Sequence, residues 1–200
     1  MLLDVQDSQL VLIDYQAKLM PVLHEGDAVL RNAVRLAQMA QLLKVPTWGT
    51  EQNPQRLGTN PAELRDVYRR TLLKMTFSAC EEGLIDCLRP QASAPAGNAR
   101  SLPRHLQKAV PAAATRNTVV IAGCEAHVCL LQTALGLLEE EFDVWVVTDA
   151  CASRTERNRD AAFDRLASAG AELLTTEMVA FEWLGSAEHP QFKAVQALIK

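Results

Sequence analysis

The sequence predicts an α/β protein: a mostly parallel sheet with helices on both faces, making three layers. Three observations carry this. Apolar runs of strand length alternate with helix-period segments almost from end to end. Residues 9–14, QLVLID, form a short continuous apolar run, which suits a strand buried on both faces. Residues 118–138, TVVIAGCEAHVCLLQTALGLL, pass from a β-branched run through Gly123 into a helix-period pattern, a strand-turn-helix unit.

Taken in order, the run at 9–14 is the first strand, and Asp14 ends it. In open parallel sheets ligands bind outside the carboxyl ends of the strands, so Asp14 is placed at that edge. Residues 27–44 space Val29, Leu30, Ala33, Val34, Leu36, Ala37, Ala40 and Leu43 as one helical face, with Asp27 as N-cap and Pro46 as stop. Residues 45–52, VPTWGTEQ, are a second strand that brings Glu51 and Gln52 to the edge beside Asp14. The NPQRLGTNP stretch that follows is turn-forming. Residues 69–78, RRTLLKMTFS, are mixed and weakly periodic, with Lys74 among apolar neighbours. Most such lysines reach back to water; one held near a carboxylate and a thiol stabilises both anions.

Ser78 with Glu81 reads as a capping box opening a helix through Leu84, Ile85 and Leu88. Residues 90–114 are rich in Pro, Ala and Ser and read as a surface insertion, too poor in apolar side chains to form a second domain. Residues 142–150, FDVWVVTDA, are a strand ending near Asp149. Ser153 with Glu156 is a second capping box, opening a helix stopped by Gly170. Residues 171–176 are the last strand, and 189–200 a terminal helix with Phe192, Val195, Leu198 and Ile199 on one face. The whole reads as a single Rossmann-like domain spanning residues 1–200 with right-handed crossovers.

A chain of 200 residues suffices for one sizeable core. The net charge of −4 offers no basic face for nucleic acid and no polybasic stretch for a membrane, which leaves a small molecule as the expected partner. Five cysteines without C-x-x-C or zinc spacing indicate free thiols in a reducing, cytoplasmic compartment. The N-terminus has no basic region of a signal peptide and no apolar run reaches membrane length. The glycine patterns of dinucleotide- and phosphate-binding loops are absent, as is G-x-S-x-G.

The chemistry centres on Cys124 and Cys129, which flank the strand-helix turn. A thiol at a helix N-terminus is favoured as thiolate by the helix dipole; the competing reading is two small buried hydrophobes. His127 is close enough in sequence to serve as a base, although two residues along a helix point to different faces.

Four segments then resemble the isochorismatase-like cysteine hydrolases, and in particular the isochorismatase domain-containing subgroup: LVLIDYQ, KMTFSAC, AGCEAHVCLLQTALGLL and VVTDACASRTERNRDAAFDRL. TEQNP and the C-terminal HPQFKAVQALIK add to the likeness. The resemblance implies an Asp14–Lys74–Cys129 triad, an oxyanion hole from the backbone N–H groups of Glu125 and Cys129, and a cis Cys124–Glu125 peptide bond. It implies attack of Cys129 on a small amide or related C–N bond, not a peptide bond, through a thioester. Nicotinamidase-type members carry Asp and His metal ligands after the second strand; here TEQNPQRLG has no His, so no catalytic metal and no cofactor is expected. Tyr15, Gln16, Glu51, Gln52, Phe77 and His127 are candidates for the substrate pocket, and a homo-oligomer, dimer or larger, is a family expectation. Two other readings stand beside the hydrolase: a catalytically silent α/β scaffold, and a redox sensor in which Cys124 resolves an oxidised Cys129.

Overall fold

A computed structural model describes residues 1–89 and 116–200, so the insertion expected at 90–114 lies outside the described residues. The elements are β1 (Ser8–Ile13), α1 (Gly26–Leu42), β2 (Thr47–Gln52), α2 (Pro54–Leu57), α3 (Ala62–Arg65), β3 (Arg70–Lys74), α4 (Leu84–Leu88), β4 (Thr118–Gly123), α5 (Leu131–Glu139), β5 (Asp143–Val147), α6 (Glu156–Ser168), β6 (Glu172–Leu174), α7 (Thr176–Leu184) and α8 (Phe192–Ile199). Six strands form one sheet in the order β3-β2-β1-β4-β5-β6, every pair parallel. On one face α1 packs against α3, α7 and α8; on the other α5 packs against α6. The expected three-layer α/β architecture is present.

The centre of the sheet is the most apolar part of the chain. β1 and β4 pair from Ser8↔Thr118 to Ile13↔Gly123, and both are buried along their whole length. Fully burying a Val, Leu or Ile side chain is worth about 1.5–3 kcal/mol, and Leu10, Val11, Leu12, Ile13, Val119, Val120 and Ile121 are all at 0% exposure. These two strands therefore anchor the residues that follow them, Asp14 and Cys124. The strand order reverses between β1 and β4, and that crevice is where open α/β sheets bind ligands.

Several boundaries differ from the sequence reading for local reasons. α1 begins at Gly26, with Glu25 at the cap in the left-handed region, so Asp27 lies in the first turn and does not cap. A Cβ at Gly26 would sit 2.4 Å from the Met20 carbonyl oxygen, which reserves that position for glycine. The helix stops at Leu42, and Lys44 reverses the chain with φ 60°. β2 starts at Thr47, after Pro46, which has no N–H for the ladder. The weakly periodic 69–78 stretch contains the edge strand β3, in which Leu72 is buried and Leu73 is exposed. The Ser78 box does not form: Ser78 Oγ accepts from Cys80 N at 3.3 Å, and a 3-10 turn (Cys80–Glu82) and Gly83 (φ 90°) precede α4. The Ser153 box does not form either. Thr155 caps α6, accepting from Asn158 N. β5 ends at Val147, and Asp149, just past it, is engaged at the entrance of α7, accepting from Thr176 N at 2.8 Å. α7 was not anticipated.

The two ends of the undescribed stretch are held together. Gln9 Nε2 donates to both the Leu88 and Arg116 carbonyls, each at 3.0 Å. Arg89 donates to Asn117 Oδ1 at 2.8 Å and stacks 3.8 Å over the Phe142 ring. Arg116 is pinned to the Val5 and Ser8 carbonyls. Replacing residues 91–114 by a short Gly/Ser linker should therefore leave the domain folded, with the melting temperature within about 4 °C, roughly 1 kcal/mol for a domain of this size. Failure to fold would show that the stretch supplies core, contrary to the insertion reading.

Candidate active site

The site begins where β1 ends. Asp14 adopts φ 54°, a left-handed conformation that Asp tolerates better than most residues. Its N–H donates to the Thr50 carbonyl at 3.3 Å, and Oδ1 accepts from Thr50 Oγ1 at 2.6 Å. Oδ2 lies 2.7 Å from Lys74 Nζ, with both side chains at 0% exposure. Lys74 reaches this point because β3 pairs with β2 in the register Gln52↔Lys74, which puts the two side chains on one face of the sheet. Its ammonium also donates to Gln52 Oε1 at 2.8 Å and to the Phe77 carbonyl at 3.1 Å. With the Asp14 carboxylate at ion-pair distance and these two oxygens accepting, the ammonium is both paired and hydrogen-bonded, as a buried charge requires. Lys74 does not extend to water.

Cys129 arrives from β4. Gly123 ends that strand with φ 157°, and a Cβ there would lie 2.4 Å from Ile13, so only glycine lets β4 approach β1 so closely. The Cys124–Glu125 peptide bond is cis. A single π-helical turn (Ala126–Leu130) then leads into α5. In that turn the Glu125 carbonyl accepts from Val128 N at 3.0 Å and from Leu130 N at 3.3 Å, passing over the N–H of Cys129 between them. Turns of this kind recur at functional sites because they change which backbone groups are left free.

Asp14 and Lys74 are the charged groups that act on the Cys129 thiol. Burial pushes it up to about 12, the negative charge of Asp14 adds to the rise, and Lys74 opposes it. This corrects the expectation of a thiolate at a helix end. A helix terminus contributes about 0.3–1 kcal/mol, less than one pH unit, and here desolvation outweighs it. The surroundings therefore favour the thiol over the thiolate, and the Asp14 carboxylate is the group available to take its proton. Cys124 and Cys151 are fully enclosed and pushed up by burial, and Cys80 is raised to about 11. All five cysteines are free.

The pocket candidates separate into two groups. Tyr15 and Gln16 are at 0% exposure. The Tyr15 hydroxyl donates to the Ala150 carbonyl at 2.6 Å, and Gln16 exchanges hydrogen bonds with the Gln52 backbone. Glu51 Oε1 accepts from Asn60 N at 2.8 Å, while Gln52 holds Lys74 and the Met75 carbonyl. These four brace the carboxyl-edge loops from inside. Phe77 is half-exposed and His127 partly so. His127 Nδ1 pairs with Ser153 Oγ at 2.9 Å and Nε2 lies 3.5 Å from Asn158 Nδ2, so its ring is engaged with α6 and its leading loop. Sequence reasoning missed Thr50, whose place two residues before Gln52 on the same strand face is the signal for it. It also missed Arg154, which grips Glu125 through Nε–Oε2 at 2.8 Å and Nη2–Oε1 at 3.1 Å.

Among the described residues no three His, Cys, Asp or Glu side chains are grouped to hold a metal ion, and no helix is long and apolar enough to cross a membrane. A depression of about 460 Å³ lies at the opposite end of the sheet, against Asp7, Thr118, Asp143 and Glu172. It contains no nucleophile, and the carboxyl edge remains the place where the chemistry converges.

Comparison with known proteins bears on the family and the fold. A family model described as Isochorismatase domain matches residues 8–178. Isochorismatase domain-containing protein 2 of Bos taurus is 36% identical over 197 residues, covering 96% of this chain and 83% of that protein. Among solved structures, the MAR1 ribonuclease from Caenorhabditis elegans superposes with a TM-score of 0.83 at 31% identity, covering 100% of this chain and 92% of the other. The YcaC gene product of Escherichia coli, described as an octameric hydrolase of unknown specificity, gives a TM-score of 0.81 at 26% identity, covering 98% of this chain and 87% of the other.

Proposed function

This chain belongs to the isochorismatase family, and we propose that it is a cysteine hydrolase that cleaves a small amide or related C–N bond. The observation that carries the reading is the buried Asp14–Lys74 pair, 2.7 Å apart at the switch point of the sheet, whose charges act on the Cys129 thiol. Asp14 takes the thiol proton as sulfur attacks the substrate carbonyl carbon. The carbonyl electrons become an oxyanion, which the N–H groups of Glu125 and Cys129 receive. Collapse breaks the C–N bond, Asp14 returns the proton to the leaving amine, and a thioester remains on Cys129. Water then attacks the thioester, giving its proton to Asp14. The C–S bond breaks, a carboxylic acid leaves and the thiol is restored. Lys74 keeps its charge throughout and holds Asp14 in place.

Cys129 is only 6% exposed, which suits a small substrate and not a polypeptide. The ribonuclease name of one structural neighbour is not carried over, because a net charge of −4 gives no footprint for a phosphate backbone. The redox reading is disfavoured by Cys124, whose thiol is fully enclosed and pushed up by burial. The scaffold reading is disfavoured by the buried ion pair, since a fold alone is often served as well or better by apolar residues at both positions. We also propose a cytoplasmic homo-oligomer. The octameric description of the Escherichia coli neighbour supports self-assembly, as do the exposed apolar side chains of Leu73, Met75 and Phe77 beside Lys74.

A screen of small primary and secondary amides, read by amine release, tests the reading. Turnover of at least one is expected, with Asp14→Asn lowering kcat by about 10²–10⁴-fold, the usual contribution of a general base. Absence of turnover across the screen, or full activity in Asp14→Asn, would sink it.

A further inference from the structure

Arg154 belongs to no part of the proposed triad, yet it makes the best-formed ion pair on the surface near it. Its guanidinium grips Glu125 through two hydrogen bonds, at 2.8 and 3.1 Å. A planar fork on a carboxylate fixes orientation as well as distance. The pair is asymmetric: the Arg154 side chain is 62% exposed and that of Glu125 only 11%. Exposed pairs contribute about 0–1 kcal/mol to stability, so the fold has little need of this one.

Glu125 is not an ordinary surface residue. Its carbonyl is the acceptor that takes Val128 N and Leu130 N and passes over Cys129 N. Its backbone therefore sets the π-helical turn, and the turn sets whether the Cys129 N–H is available. The neighbouring contacts act in the same direction. Ala126 N donates to the Ala152 carbonyl at 2.7 Å, Cys124 bridges to Ala152, and His127 Nδ1 pairs with Ser153. Residues 152–154 thus close on residues 124–127 like one jaw on another, with Arg154 as the outermost contact.

We propose that Arg154 is a positioning residue for the oxyanion hole, acting through the Glu125 side chain to keep the N–H groups of Glu125 and Cys129 aimed at one point. The inference rests on the reading of those two groups as the oxyanion donors, and it extends that reading to a residue outside the triad. It separates two reactions of the same thiol. Acylation passes through a tetrahedral oxyanion and needs the donors. Alkylation is a direct displacement at an sp³ carbon and needs only the sulfur nucleophile.

The test compares both reactions at Cys129 in the full chain, by peptide mass mapping. With p-nitrophenyl acetate the thiol gains an acetyl group as its C–S bond forms, the ester C–O bond breaks, and p-nitrophenol leaves. With iodoacetamide the C–S bond forms as the C–I bond breaks, iodide leaves and the thiol proton passes through Asp14 to solvent. In Arg154→Gln, acetylation should slow about tenfold, in keeping with the cost of a small misplacement at a reacting centre. Alkylation and melting temperature should hold, the rate within about twofold. Arg154→Lys, which keeps the charge but not the fork, should fall between. Equal slowing of both reactions, or no slowing of either, would overturn the proposal. A wild-type Cys129 that takes neither reagent would refute the nucleophile itself, and the positioning role with it.

Discussion

Lys74→Met lowers the free energy of unfolding by about 3–5 kcal/mol, the usual cost of leaving a buried charge without its partner. Methionine replaces the lysine stem at similar volume, so little of the loss comes from packing. The loss comes from Asp14, which is at 0% exposure and would keep only the Thr50 hydroxyl on its carboxylate. Gln52 Oε1 and the Phe77 carbonyl lose their donor in the same change. For a chain of this size the loss corresponds to a fall in melting temperature of about 6–20 °C. Urea unfolding of the single variants and of Asp14→Asn/Lys74→Met gives the coupling. The double variant should recover much of the stability, because the neutral pair leaves no charge buried alone. A loss below about 1 kcal/mol in Lys74→Met would mean that Asp14 is not a buried anion and would remove the base from the proposed mechanism.

Cys129→Ser lowers kcat on the order of 10⁴-fold or more, as loss of a nucleophile does elsewhere. The substitution is nearly isosteric, so stability should change little. The reason for the loss lies in the proton. The Cys129 thiol is already pushed up to about 12 by burial and by Asp14, and a serine hydroxyl is a far weaker acid in the same surroundings. A carboxylate can take a proton from sulfur as the C–S bond forms; taking one from an alcohol is much harder. Residual activity within about tenfold of wild type would move the nucleophile elsewhere, and no other cysteine is favourably placed. Cys124 and Cys151 are enclosed, and Cys80 is raised by burial with Glu140, Glu139 and Glu81 adding to the rise.

The sequence carried the fold further than it carried the site. β1 and β4 were legible because strands buried on both faces are written as unbroken apolar runs, and Asp14 was legible because it breaks one. β3 was not, since an edge strand alternates irregularly and its Leu73 points to solvent. α7 was hidden by an apolar surface: Val179, Ala180, Trp183 and Leu184 are buried, but Met178 and Phe181 on the outer side are also apolar. Capping boxes misled twice, because serine and threonine crowd the entrances of helices. In the stretch SRTE, Thr155 caps and Ser153 turns to His127.

Within the site, a single apolar-flanked lysine does not announce burial; the sequence marks Lys74 as a candidate, and only the resemblance gives it a place in the triad. The π-helical turn leaves no trace in side-chain periodicity, because one skipped hydrogen bond shifts the pattern by less than the scatter of a real helix. The helix dipole alone does not give the state of the Cys129 thiol, because burial acts against it. Burial is a property of the packed neighbours, and the turn that carries Cys129 packs against β4, α5 and α6.

The central claim is that Cys129 carries the acyl group of the substrate during turnover. The most direct measurement is acid quenching during steady-state hydrolysis of an active amide, followed by digestion and mass mapping of all five cysteines. The account predicts an acyl adduct on Cys129 alone, formed no more slowly than kcat and absent from Cys129→Ser. Sustained turnover with Cys129 unmodified, undiminished in Cys129→Ser, would contradict it.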